Sequence, residues 1–195
     1  MELDTEITTN LEEEPRLVSK KATYSLRVAF MAIMTALVTI VTFYMTIPIT
    51  PTGGYFNVGE GIIYITAILF GPFIGAFAGG VGASMADLFL GFGNFAPITL
   101  VVKSIEGFVV GFVFRYLKKR NGSTLWKKTA AILLGIPILV LGYFIGEYYI
   151  LGQGPVAYLE IPWNLIQGLG GLIIALPLIA ALERITFLKD QDVFS

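Results

Sequence analysis

Two ionisable side chains, Lys103 and Glu106, interrupt the apolar run "TLVVKSIEGFVVGFVF" at residues 99–114. Spaced three apart, they share one face of a helix and can pair. Charge inside a hydrocarbon-like segment is costly, and such residues face an ion partner, a bundle interior or a wet cavity. Two readings stand: a pair that only makes both residues tolerable, or a pair that lines a ligand pocket. Further polar side chains interrupt neighbouring apolar runs: Glu60, Asp87, Glu147, Asn164 and Gln167. Tyr143 stands one turn before Glu147, and Trp163 stands beside Asn164. Glu60 and Asp87 also read as residues that cap or border helix interfaces, and Asn164 and Gln167 as buried amides that tie helices together.

Other chemistries lack their residues. The chain has no cysteine and no histidine, which excludes disulfides, thiolate chemistry and most zinc or haem sites. No Ser-His or Cys-His pair can be drawn, so no enzyme and no catalytic residue are expected. Asp87, Glu106 and Glu147 keep an intramembrane acid–base enzyme as the rival reading. A subunit that binds only other proteins is a third. There is no GxxxxGK[ST] loop, so ATP hydrolysis by this chain is not expected. Neither a metal nor a cofactor is expected.

The elements that must carry these residues are membrane spans. Of 195 residues, 55 % are apolar and only 14 % charged, against roughly 25 % charged in soluble domains. The mean hydropathy is +0.77. Six apolar segments follow a polar start: Leu26–Ile47, Val58–Phe70, Pro72–Leu90, Pro97–Tyr116, Thr129–Ile150 and Ile161–Leu182. A span needs about 20 residues, fewer when buried in a bundle. Long, uniformly apolar runs exclude a β-barrel. The expected fold is an all-α bundle of six transmembrane helices over residues 22–185. A polar tail at 1–21 and a short tail at 186–195 flank it. No secretory leader is expected, because the first apolar run follows more than twenty polar residues.

Charge orients the bundle. With the N-terminus cytoplasmic, Arg16, Lys20, Lys21 and Arg27 lie inside, as do Arg115, Lys118, Lys119, Arg120, Lys127, Lys128, Arg184 and Lys189. The opposite loops hold no Lys or Arg, and Lys103 alone departs from the pattern. That satisfies the positive-inside rule, with both termini cytoplasmic in a multi-pass protein. The basic 115–128 stretch is then an orientation signal, and no nucleic-acid partner is expected. The ionisable residues gather toward the outer side. There the loop "PITPTGGYFNVGEG" offers Tyr55, Phe56 and Asn57 between prolines and glycines, either as a lid or as a plain connection. The loop "GFGNFAP" has the same character.

Small residues recur at helical spacing. Gly71, Gly75, Gly79 and Ala83 stand four apart, with Asp87 next on the stripe, and Ala32 and Ala36 stand in "AIMTA". Lipid gives helices no hydrophobic drive to associate, so close backbone approach supplies the contact. The third helix should be crowded, and the Ala32/Ala36 face is open either to bundle packing or to a partner protein.

These features together resemble the substrate-binding S component of energy-coupling factor (ECF) transporters, most like the riboflavin or hydroxymethylpyrimidine branch. The resemblance covers about residues 22–185. It rests on six helices, on Ala32-x-x-x-Ala36, on "GGYFNVGEGIIYITAILFGPFIGAFAGGVGASMADLFLG" and on "FAPITLVVKSIEGFVVGF". The resemblance implies a protein of the cell membrane that captures a vitamin or precursor from outside. It also implies docking through the Ala32/Ala36 face on a transmembrane coupling protein that carries two ATPases. The small-molecule vitamin and the surrounding lipid complete the partners. Carried over by position, Lys103, Glu106, Tyr143, Glu147, Asn164 and Gln167 would line the pocket. Tyr55 and Asn57 would belong to the lid, and Asn94 to the second loop. Amides, carboxylates and one cation suit a heterocycle with donors and acceptors.

Overall fold

The computed structural model describes residues 24–49 and 54–184. The two tails expected at 1–21 and 186–195 lie outside the described residues. Helix α1 (Tyr24–Tyr44) leads into strands β1 (Thr46–Ile49) and β2 (Gly54–Asn57). Helices α2 (Gly59–Phe70), α3 (Pro72–Leu90), α4 (Ala96–Lys118) and α5 (Thr124–Ile145) follow. A π-helical turn (Gly146–Ile150) continues α5, a 3-10 turn spans Gly154–Leu159, and α6 (Glu160–Leu182) ends the described chain.

Among the described residues, five helical stretches are long and apolar enough to cross a membrane. The protein is thus a multi-pass helical membrane protein. The remaining helix, α2, has 12 residues, roughly 18 Å of helix, and is too short to span alone. It is also the most enclosed: every residue except Ile62 is buried. A helix apolar on all sides belongs inside a bundle, and α2 sits against α3, α4 and α6. Exposed Phe73, Phe77, Leu134, Leu141 and Ile173 mark the outer, lipid-facing surface.

Glycines set the central packing. A Cβ at Gly75 would lie 2.7 Å from the Ala67 Cα and 3.1 Å from the Gly107 carbonyl oxygen. α3 is therefore held backbone to backbone against both α2 and α4. On its other side, Gly82 meets the Thr35 carbonyl and Val38 of α1. The Thr39 hydroxyl donates to the Gly82 carbonyl at 2.9 Å, adding a polar tie. The turn between α2 and α3 uses Gly71 at φ 92°, a conformation only glycine adopts freely. Pro72 then starts α3 where its missing N–H is not needed.

Two boundaries differ from the sequence reading. The first apolar segment stops being helical at Tyr44. Residues Thr46–Ile49 pair antiparallel with Gly54–Asn57, in the register Thr46↔Asn57 to Ile49↔Gly54. Pro48 and Pro51 remove backbone donors that a helix needs, and a two-stranded ribbon tolerates Pro48. The fifth helix begins at Thr124, earlier than the expected Thr129, because the Lys127 and Lys128 stems bury along the bundle.

Candidate functional site

One end of the bundle carries the hairpin, and polar residues converge beneath it. On α6 the spacing of Glu160, Asn164 and Gln167 puts all three on one buried face. On α4, Thr99, Lys103 and Glu106 do the same. α5 supplies Tyr143, and the π turn aims Glu147 inward. Such a turn inserts a residue into the helical register and so redirects side chains. Asp87, last on the small-residue stripe of α3, completes the ring.

A cavity of about 20 Å³ lies between them, room for about one water. Its walls are Gly54, Tyr55 and Asn57 of the hairpin, and Asp87, Phe95 and Thr99 around the α3–α4 turn. Tyr143 and Glu147 close the α5 side, and Glu160, Asn164 and Gln167 the α6 side.

The hairpin is latched over this cavity at three points. The Tyr55 hydroxyl donates to Asp87 Oδ1. Burial, and after it the charge of Asp87, push the Tyr55 phenol well above its usual range, so it stays protonated and keeps donating. The Asn57 backbone N–H and Nδ2 both donate to Gln167 Oε1, at 3.0 and 3.2 Å. Gly54 lies so close to α6 that a Cβ there would sit 2.5 Å from Glu160 Oε1. The Tyr55 ring also packs on Phe92, with centroids 5.0 Å apart.

A second polar layer forms the cavity floor. Gln167 Nε2 donates to Glu60 Oε2 at 3.0 Å, and Lys103 Nζ donates to the same oxygen. Lys103 Nζ also lies 3.4 Å from Glu106 Oε2, whose other oxygen accepts from the Tyr64 hydroxyl at 2.9 Å. Lys103, Glu60, Glu106 and Tyr64 are all buried. The network ties α2, α4 and α6 together, and burial of its charges is tolerable because they are paired and hydrogen-bonded. Tyr143 donates to Thr99 Oγ1 at 2.9 Å, and its ring lies 5.6 Å from Lys103 Nζ.

Tyr55, Asn57, Tyr143, Glu147, Asn164 and Gln167 thus line one cavity. Lys103 and Glu106 lie one layer beneath it and reach it through Glu60 and Gln167. Asn94 is exposed on the α3–α4 turn, and its neighbour Phe95 is the residue that enters the wall. Ala32 and Ala36 are exposed on α1, away from the cavity. Sequence reasoning passed over Thr99, Glu160 and Phe95. The first two had a helical signal: Thr99 stands four before Lys103 and Glu160 four before Asn164. Phe95 had none.

Among the described residues, no group of His, Cys, Asp or Glu side chains is placed to hold a metal ion.

Comparison with known proteins agrees with this architecture. Residues 23–184 match the family "ECF-type riboflavin transporter, S component". A protein from Pyrococcus woesei described only as uncharacterized is 38 % identical over 138 residues, covering 70 % of this chain and 88 % of its own. The thiamine precursor transporter HmpT of Lactococcus lactis subsp. cremoris is 30 % identical over 162 residues, covering 81 % and 88 %. The solved S component of a bacterial ECF transporter superposes with a TM-score of 0.63 at 14 % identity, covering 85 % of this chain and 99 % of that one, which is a likeness of fold. With nearly all of its helical part matched to the family, the chain belongs to the S components of ECF-type transporters, a transporter family and not an enzyme family.

Proposed function

We propose that this chain is the substrate-specific subunit of an ECF-type importer. It takes a water-soluble vitamin or vitamin precursor into the cavity under the β1–β2 hairpin. The observation that carries this reading is the latched hairpin itself. A short hairpin, held down by hydrogen bonds to Asp87 and Gln167 and by packing on Phe92 and Glu160, closes a polar cavity at one end of an apolar bundle. A cavity of about 20 Å³ admits no heterocycle, so ligand entry requires the hairpin to lift. Lids of this kind sequester a bound molecule from water.

Charge supports an outward-facing site. Arg115, Lys118, Lys119 and Arg120 end α4, and Lys127 and Lys128 begin α5, at the end of the bundle away from the hairpin. By the positive-inside rule that end is cytoplasmic and the hairpin faces out, in the cell membrane. Transport then needs partners: a membrane coupling protein and two ATPases. The exposed Ala32/Ala36 face of α1 is the docking surface in this reading, since small side chains permit close helix approach.

Native mass spectrometry of the protein released from mild detergent tests the proposal. A co-purified vitamin or precursor is the expected result. Protein that carries no small molecule, and binds none of riboflavin, thiamine, hydroxymethyl-aminopyrimidine, pyridoxine or pantothenate, overturns it.

A further inference from the structure

We infer, on the reading that this cavity is the ligand site, that the ligand is cationic or amino-bearing and carries no phosphate or carboxylate group. Its N–H-rich edge meets Glu147 and Asp87. The charge of the wall is the first ground. Asp87, Glu147 and Glu160 line the cavity, while no lysine or arginine does. The nearest cation, Lys103, is already engaged by Glu60 and Glu106, so the floor contributes one carboxylate more than it has cations. An anionic ligand would meet three carboxyl groups and no cation in the wall, at low dielectric, which is a strong discriminator.

Unfilled acceptor positions are the second, independent ground. Asp87 is 1 % exposed and Glu147 is 2 % exposed, yet Asp87 Oδ2 and Glu147 Oε2 accept no hydrogen bond. Buried polar atoms in proteins are nearly always satisfied, and an unsatisfied one calls for an explanation. Both residues line the same cavity, and a ligand donor would satisfy them.

The local backbone is the third ground. Glu147 stands on the π turn, where the Leu151 N–H bonds to the Gly146 carbonyl at 2.9 Å. That irregularity is unfavourable in a plain helix and concentrates at functional sites. Its effect here is to bury a carboxylate at the cavity wall.

A bare metal ion does not fit these carboxylates, because they do not converge on one point. A molecular cation spread over several ångströms does. The rings of Tyr143 and Tyr55, with Phe95, supply π faces on which a flat heterocycle can stack, and such faces also favour positive charge. The amide of Asn164 adds a neutral donor and acceptor at the α6 wall.

The test measures affinities of the full-length protein in mild detergent by titration calorimetry. Four probes are used: hydroxymethyl-aminopyrimidine (amino-bearing), thiamine (cationic), riboflavin (neutral) and pantothenate (anionic). The expected order places at least one of the first two above riboflavin by at least about tenfold, with pantothenate not bound. Glu147→Gln should weaken the amino-bearing or cationic probe by about ten- to a hundredfold and riboflavin distinctly less, because an amino or cationic edge depends more on the carboxylate charge. Should Glu147→Gln not fold, the wild-type order and the Asp87→Asn variant carry the test. Tightest binding of riboflavin or pantothenate overturns the inference while upholding the proposed function. Equal weakening of all probes by Glu147→Gln also overturns it, since that marks a structural residue. No binding of any probe, with nothing co-purified, removes the ligand-site reading and the inference with it.

Discussion

Lys103 is the buried cation on which the cavity floor depends, and its removal is the most informative single perturbation. It is 2 % exposed between Glu60 and Glu106, each fully buried. At the 3.4 Å separation of Lys103 and Glu106, an effective dielectric of about 20 gives about 5 kcal/mol of gross attraction. Lys103→Met removes this and leaves two carboxylates facing each other without a cation. The expected cost is about 3–5 kcal/mol, the range for stripping one partner from a buried pair. Glu106→Gln should behave differently. Lys103 keeps Glu60, Tyr64 keeps an amide oxygen to donate to, and the surplus charge disappears, so the cost should be about 1 kcal/mol. The two changes must also couple: with Glu106 already neutral, Lys103→Met should cost less by about 2 kcal/mol or more. Unfolding by SDS titration, followed by far-UV circular dichroism, measures all four corners of the cycle. Additivity to within about 0.5 kcal/mol, or a Glu106→Gln variant as damaged as Lys103→Met, would refute the network as the origin of floor stability.

Three other outcomes are expected. Tyr55→Phe removes a latch to a carboxylate, worth about 1.5–3 kcal/mol, and should raise hydrogen exchange at β2 without lowering the helical signal. Because the Tyr55 phenol is pushed up in the folded protein, its contribution to stability is full below about pH 10, the unfolded value, and declines as pH rises further. Wild-type and Tyr55→Phe protein should accordingly show the same tyrosinate absorbance rise up to about pH 10. Gly107→Ala would place a Cβ 2.7 Å from the Gly75 carbonyl carbon. Since backbone stands on both sides, it should cost about 1–3 kcal/mol, read from the same SDS titration. Ala36→Trp, on the exposed face of α1, should leave ligand binding in detergent unchanged and abolish uptake in cells, as radiolabelled uptake would show.

The sequence made the spans legible because lipid imposes length and apolarity directly, and Gly75, Gly79 and Ala83 announced the crowding of α3. It also marked Tyr143, Glu147, Asn164 and Gln167, since a polar residue inside an apolar run has few reasons to exist. The hairpin was harder to read. Thr46–Ile49 is apolar enough to continue a helix, and only the pairing with Gly54–Asn57 turns it into a strand. The depth of Lys103 was also hidden. Helical periodicity places it on the same face as Thr99, but whether that face meets the cavity or the floor depends on Glu60, forty-three residues away in sequence. Phe95 was hidden for a related reason: it sits on the α3–α4 turn, where helical periodicity gives no direction.

Roof and floor of the cavity share one side chain, and this constrains how the site works. Gln167 Oε1 receives both donors of Asn57 from the hairpin, while Gln167 Nε2 donates to Glu60 in the floor. An amide has acceptor and donor at opposite atoms, so it can bridge a donor above and an acceptor below only in this orientation. Lifting the hairpin removes the two bonds to Oε1 and leaves that oxygen pointing into the opened cavity, held in place by Glu60. The floor then presents an acceptor fixed in position to an incoming N–H, in addition to the carboxylate oxygens of Asp87 and Glu147. On the proposed reading, ligand entry would exchange protein–protein hydrogen bonds for protein–ligand ones of the same kind. That exchange lets a site closed to about 20 Å³ open without stranding buried polar atoms.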